Sequence, residues 1–146
     1  MPTYEVKAIQ GRFSATQKSR LAAIITEIHC SATGAPPYLA QVIFQDVPQG
    51  SFFVGGKLLG FDNIFIHGHI RGGRPAEIKE KLLLELMHST APIAETDRSC
   101  VQVYLSELPA HNIAEWGQIL PKPGEEAAWA ASVPAAVRER MKSLLS

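Results

Sequence analysis

Two stretches of this sequence echo each other. Gln41-Val42-Ile43-Phe44-Gln45-Asp46-Val47-Pro48 lines up with Gln102-Val103-Tyr104-Leu105-Ser106-Glu107-Leu108-Pro109 at an offset of 61 residues. The same offset pairs Leu21 with Leu82 and Ile25 with Leu86. Thr3 to Ile9 alternates, with Tyr4, Val6 and Ala8 on one side, and Asn63 to Ile70 takes the matching place in the second copy. Two matched strand pairs around two matched helices describe a duplicated β-α-β unit. Parallel strands in such a unit need a helical crossover. The expected architecture is an α/β (α+β) fold, a four-stranded sheet with two helices on one face. One domain spans 1–146, with repeats at about 2–48 and 63–109 and an extension over 110–146. Its strands carry apolar residues on both sides, so the sheet's second face is expected to be covered by self-association.

Local signals fill in the connections. Ser14 is placed to cap a helix running to about Ala32, with Leu21, Ile24, Ile25 and Ile28 as its stripe. Gly34-Ala35-Pro36-Pro37 ends it, because prolines cannot continue the ladder of backbone bonds. A strand from Leu39 to Val47 follows, then a glycine-rich connection with a short apolar piece over Ser51 to Leu59. Arg71-Gly72-Gly73-Arg74 reads as a tight turn, and Pro75 suits the first helical position ahead of Ile78, Leu82 and Leu86. Cys100 to Leu108 is the last long strand. A turn at Pro121 to Gly124 and an amphipathic tail from about Pro134 close the chain.

Charge and composition exclude several classes of function. At 146 residues and 46% hydrophobic, the chain can bury a core without disulfides or a structural metal. Fourteen Lys and Arg balance fourteen Asp and Glu with no basic cluster, which argues against a nucleic-acid partner. No apolar run approaches the roughly 20 residues of a membrane span. Met1-Pro2-Thr3-Tyr4-Glu5 lacks the basic start and apolar stretch of a secretory signal. Cys30 and Cys100 read as packing thiols in a reducing compartment. A soluble, cytoplasmic protein is expected.

A few residues have the right chemistry for a site. Removal of Met1 would leave Pro2 as the amino terminus, a secondary amine that serves as a base when neutral and as an acid when a nearby carboxylate keeps it protonated. Arg71 and Arg74 stand where a strand meets a helix through two glycines, and their forks match a carboxylate. His29 lies near the end of the first helix, at the edge of its stripe; Tyr104 lies in the last strand; Glu115 follows Pro109 and Asn112. His67 and His69 share a strand face, but no third ligand accompanies them and no metal is expected.

Taken together on a duplicated β-α-β chain, Pro2, His29, Arg71, Arg74, Tyr104 and Glu115 resemble the tautomerase superfamily, and most of all the family of cis-3-chloroacrylic acid dehalogenase. The likeness runs from about Pro2 to Trp129. It includes Leu39-Ala40-Gln41-Val42, Phe65-Ile66-His67-Gly68 ahead of Arg71-x-x-Arg74, and Pro121-x-Pro123-Gly124-x-Glu126. The resemblance implies a homotrimer with its sheets facing inward, a small carboxylate substrate and no cofactor. It also implies roles. Arg71, Arg74 and His29 hold the carboxylate of an unsaturated acid, Glu115 with Tyr104 activates water, and protonated Pro2 delivers a proton to C2. The sequence departs from the dehalogenase pattern at Ala35, Pro36 and Ile70, where that pattern has polar side chains. Other expectations are a phenylpyruvate-type keto–enol tautomerase, in which neutral Pro2 moves a proton between carbons, and a trimeric binding protein that uses the same pocket.

Overall fold

The computed structural model describes residues 2–145. Strand β1 (Thr3–Ile9) leads to helix α1 (Ala15–Thr33), and a 3-10 turn at Pro37–Leu39 precedes strand β2 (Gln41–Val47). The short strands β3 (Phe53–Val54) and β4 (Lys57–Leu58) form a hairpin, followed by β5 (Ile64–Arg71), α2 (Ala76–Ala94) and β6 (Val101–Leu108). A second small hairpin, β7 (Ala114–Glu115) and β8 (Gln118–Ile119), leads to α3 (Glu126–Ser132) and α4 (Ala135–Ser143).

The main sheet has the order β2-β1-β5-β6. β1 and β2 run parallel, as do β5 and β6, while β1 and β5 meet antiparallel. The two β-α-β units thus join through their first strands. Alternation decides which face is covered. Tyr4, Val6 and Ala8 of β1 and Ile64, Ile66 and Ile70 of β5 are buried in one cluster with Leu21, Ile25 and Ile28 of α1 and Leu82 and Leu86 of α2. Both helices therefore lie on one face, as the repeat implies.

Helix α1 begins where the sequence places its cap. The Ser14 hydroxyl accepts from the Gln17 N–H and the Gln17 side chain accepts from the Ser14 N–H, so two otherwise unpaired backbone donors are satisfied. Other boundaries differ. Leu39 belongs to the 3-10 turn and not to a strand: Pro37 starts that turn, and the Leu39 N–H donates back to the Pro36 carbonyl at 3.0 Å. Pro75 caps α2 from one position outside it. Helix α3 had no stripe to announce it.

The open face is more polar than its strands suggest. Ile43, Phe65 and Tyr104 alternate there with Glu5, Lys7, His67, His69 and Ser106. Among the described residues, no helix is long and apolar enough to cross a membrane.

Candidate active site

A cavity of about 440 Å³ opens where the amino-terminal end of β1, the carboxyl end of α1 and the β5–α2 turn converge. Pro2 is buried in its wall, and its carbonyl accepts from the Gln41 N–H at 3.0 Å, which ties the start of the chain to the adjacent strand. His29, Arg71 and Arg74 line the same cavity. Leu39, Leu120 and Trp129 supply apolar walls, Trp129 coming from α3.

His29 is 1% exposed. Its Nδ1 bonds to the Tyr4 hydroxyl at 2.9 Å, and its carbonyl accepts from Thr33 Oγ1. Burial, the Arg74 cation and the positive amino terminus together press its pKa down to about 3. The ring is neutral throughout the physiological range. Burial also lowers the pKa of the Arg74 guanidinium, with Arg71 adding like-charge repulsion. The Nε of Arg74 is buried and has no hydrogen-bond partner among the described residues. It is a donor without a protein acceptor, in a residue that lines the cavity.

Arg71 is engaged differently. Its Nη2 donates to Glu126 Oε1 at 2.7 Å and its Nη1 to the Pro121 carbonyl at 3.1 Å. Glu126 Oε2 in turn accepts from the Gly124 N–H, so the first residue of α3 is locked to the arginine. The bond to Arg71 holds the Glu126 carboxyl below its ordinary pKa.

Glu115 and Tyr104 do not line this cavity within one chain. Glu115 ends β7, next to a two-residue turn in which Trp116 (φ 55°) and Gly117 (φ 82°) both take the left-handed region. Such a turn matches the twist of a tight hairpin. The Glu115 Oε2 is buried without a partner among the described residues, and burial raises its pKa while the positive amino terminus lowers it. Tyr104 stands on the open sheet face, 59% exposed, with its ring edge-on to Phe65 at 4.9 Å. His67 and His69 lie on that face too, with rings 4.2 Å apart. Among the described residues, no three His, Cys, Asp or Glu side chains gather as metal ligands would.

Sequence reading missed Tyr4 and Glu126 as parts of the site. Tyr4 counts as core by alternation, yet a buried tyrosine hydroxyl needs a partner, and a polar residue on the facing helix was the available signal. Glu126 belongs to a quoted motif, but no local pattern connects it with Arg71.

The chain is similar to several known proteins. The family model Tautomerase_3, described as "Putative oxalocrotonate tautomerase enzyme", matches residues 1–132. "Probable tautomerase LL0574" of Lactococcus lactis subsp. lactis (strain IL1403) is 38% identical over 58 residues, 40% of this chain and 93% of that protein. That stretch is close to one repeat in length. The crystal structure of N1, a member of the cis-3-chloroacrylic acid dehalogenase family, is 33% identical with a TM-score of 0.91, over 97% of this chain and 99% of that one. A fused 4-OT solved as an asymmetric trimer shares the fold at 22% identity and a TM-score of 0.75, over 87% of this chain and 98% of that one.

Proposed function

The chain belongs to the Tautomerase_3 family, and on that premise we propose that it is a cofactor-independent enzyme adding water to small α,β-unsaturated carboxylates, 3-haloacrylate- or propiolate-like, through an amino-terminal proline. One observation carries the reading. A single cavity joins buried Pro2 to two guanidinium groups and a neutral histidine, and the Glu115 carboxyl outside it keeps a buried oxygen without a partner among the described residues.

Arg74, with its free Nε, and Arg71 receive the substrate carboxylate. Neutral His29 adds a third contact through Nε2 and draws electron density away from C3. Glu115 takes a proton from water as the oxygen attacks C3. Burial raises the pKa of the Glu115 carboxyl and so strengthens it as a base. The electron pair released from the C2–C3 π bond is taken up by the bound carboxylate, then by a proton from protonated Pro2 at C2. With a halogen at C3, the resulting halohydrin loses halide and a proton to give an aldehyde. With an acetylenic acid, the product is the hydrated enol, which ketonises.

Removal of Met1 is part of this proposal, and that residue lies outside the described ones. Tyr104 joins the site only from a neighbouring copy, so the reading includes a homotrimer. Fused 4-OT proteins of the same fold, 22% and 21% identical, were solved as trimers. A second reading is keto–enol tautomerisation. The curated relatives carry that name, and proton transfer by neutral Pro2 needs only the residues that one chain already gathers.

The test begins with intact mass, to establish the terminal residue. Purified protein is then given propiolate, a cis-3-haloacrylate and phenylenolpyruvate, and kcat/KM values are compared. Water addition should dominate and should be abolished in Pro2→Ala. Turnover of phenylenolpyruvate alone would select the tautomerase reading, and full hydration by Pro2→Ala would end the first one.

A further inference from the structure

His29 meets a ligand only through Nε2, because Nδ1 is already bonded to the Tyr4 hydroxyl. A neutral imidazole carries one N–H, so the partner at Nδ1 decides whether Nε2 donates or accepts. Two arrangements fit a 2.9 Å contact. In one, the phenol donates to Nδ1 and leaves Nε2–H toward the cavity. In the other, Nδ1–H donates to the phenol oxygen and leaves Nε2 bare.

The surroundings choose between them. Tyr4 is 0% exposed, and among the described residues its hydroxyl has no polar contact besides His29. Were Nδ1–H the donor, the phenolic proton would be buried without an acceptor, a loss of about 1–3 kcal/mol. Burial raises the phenol's pKa far above neutrality, so that proton is not lost to solvent instead. A bare Nε2 would be favoured if Arg74 bonded to it, but the buried Nε of Arg74 is left unpaired.

The fold holds the tyrosine in place for this contact. Tyr4 and Gly68 are direct partners across the antiparallel β1–β5 pair. A Cβ at residue 68 would lie 2.5 Å from Tyr4 Cε1 and 2.8 Å from Leu105 Cδ2. Glycine is therefore what leaves the ring its room beside β5, and from there its hydroxyl reaches across to α1. The rings of Tyr4 and His29 then meet edge-on at 5.8 Å.

We propose that Tyr4, seated over Gly68, is a positioning residue that fixes His29 as the Nε2–H tautomer, so that His29 joins Arg71 and Arg74 as a donor toward the cavity. Arg71, Arg74 and His29 then all present N–H groups, so together they favour an oxyanion over a ligand group that can only donate. The last clause rests on the proposed carboxylate chemistry; the tautomer itself does not.

The experiment is therefore done on resting protein. Full-length ¹⁵N-labelled chain is examined by two-bond proton–nitrogen correlation, with His29 assigned by its loss in His29→Gln. The expected wild-type pattern has Nδ1 as the unprotonated, pyridine-type nitrogen and Nε2 as the protonated one. In Tyr4→Phe, which keeps the ring, the Nδ1–H form should become populated. Binding of acetate, a carboxylate without the C2–C3 π bond that the reaction needs, followed on the same signals, should weaken about fivefold, as one lost neutral hydrogen bond predicts. A wild-type Nδ1–H form overturns the proposal, and that measurement decides even if Tyr4→Phe does not fold. An unchanged tautomer in Tyr4→Phe, or a changed tautomer with unchanged acetate binding, also overturns it. A protein that holds the expected tautomer yet turns over none of the acids would instead count against the proposed reaction.

Discussion

At the scale of single residues, the site depends on burial acting in opposite directions on different groups. Burial lowers the pKa of His29 to about 3 and raises that of Glu115, so the imidazole stays neutral and the carboxylate becomes the stronger base. The histidine shift has a consequence for stability. The unfolded chain takes up its proton near pH 6.5 and the folded chain near 3. Between those values the unfolded state binds more protons, so stability is intact above about pH 6.5 and drains as acid is added. The rate of loss from this one residue approaches about 1.4 kcal/mol per pH unit. His29→Gln removes that slope. Urea unfolding of both proteins from pH 7 to pH 4 should therefore show the wild type's advantage narrowing as pH falls, and a constant difference would refute the assigned burial. Glu115→Gln should reduce water addition by two or more orders of magnitude, the usual range for a general base, and spare tautomerisation. Comparable losses in both reactions would place Glu115 elsewhere in the chemistry.

At the scale of elements, the segment that closes the cavity matters most. Helix α3 is tied to β5 through one ion pair, Arg71 to Glu126, in which the carboxylate is half-exposed and the guanidinium is not. Glu126 occupies a fork of Arg71 that the proposed substrate carboxylate would need. Glu126→Gln should therefore lower KM for propiolate by about two- to fivefold, since an exposed pair is worth at most about 1 kcal/mol. A raised KM in that variant would mean that Glu126 orients Arg71 and does not compete for it. The sequence announced some elements and hid others for physical reasons. Thr3–Ile9 and Ala15–Thr33 were readable because alternation, a capping serine and a 3.6-residue stripe all agreed there. Glu126–Ser132 was not, because its Ala-rich seven residues carry no stripe and buried no residue. The cationic half of the site was legible for the same reason as the turn: two arginines flanking two glycines at a strand–helix junction. Tyr4 was hidden inside a correct strand, where alternation reports burial and says nothing of a hydroxyl's partner.

At the scale of the whole molecule, one chain does not complete the proposed hydratase. Pro2, His29, Arg71 and Arg74 share a cavity on the helix side of the sheet, whereas Tyr104 stands out from the opposite face beside Phe65 and His67. A side chain on one face of a sheet cannot reach a cavity on the other, so Tyr104 must act, if it acts, on a neighbouring copy. Closed symmetry makes this testable by mixing. Pro2→Ala and Tyr104→Ala subunits, each inactive in hydration, are dissociated and reassembled together. Where the tyrosine acts across an interface, a site is intact when a Tyr104→Ala chain supplies Pro2 and a Pro2→Ala chain supplies the tyrosine. Random assembly in equal amounts makes about a quarter of sites intact, and activity should return to that level. Were both residues used from one chain, no mixed site would be complete and the mixture would stay inactive. Phe65→Glu gives the matching control: it adds charge to the open face without entering the helix-side core, so the chain should remain folded, sediment as a monomer and lose hydration. A folded, monomeric and fully active Phe65→Glu would show that the cavity of a single chain suffices.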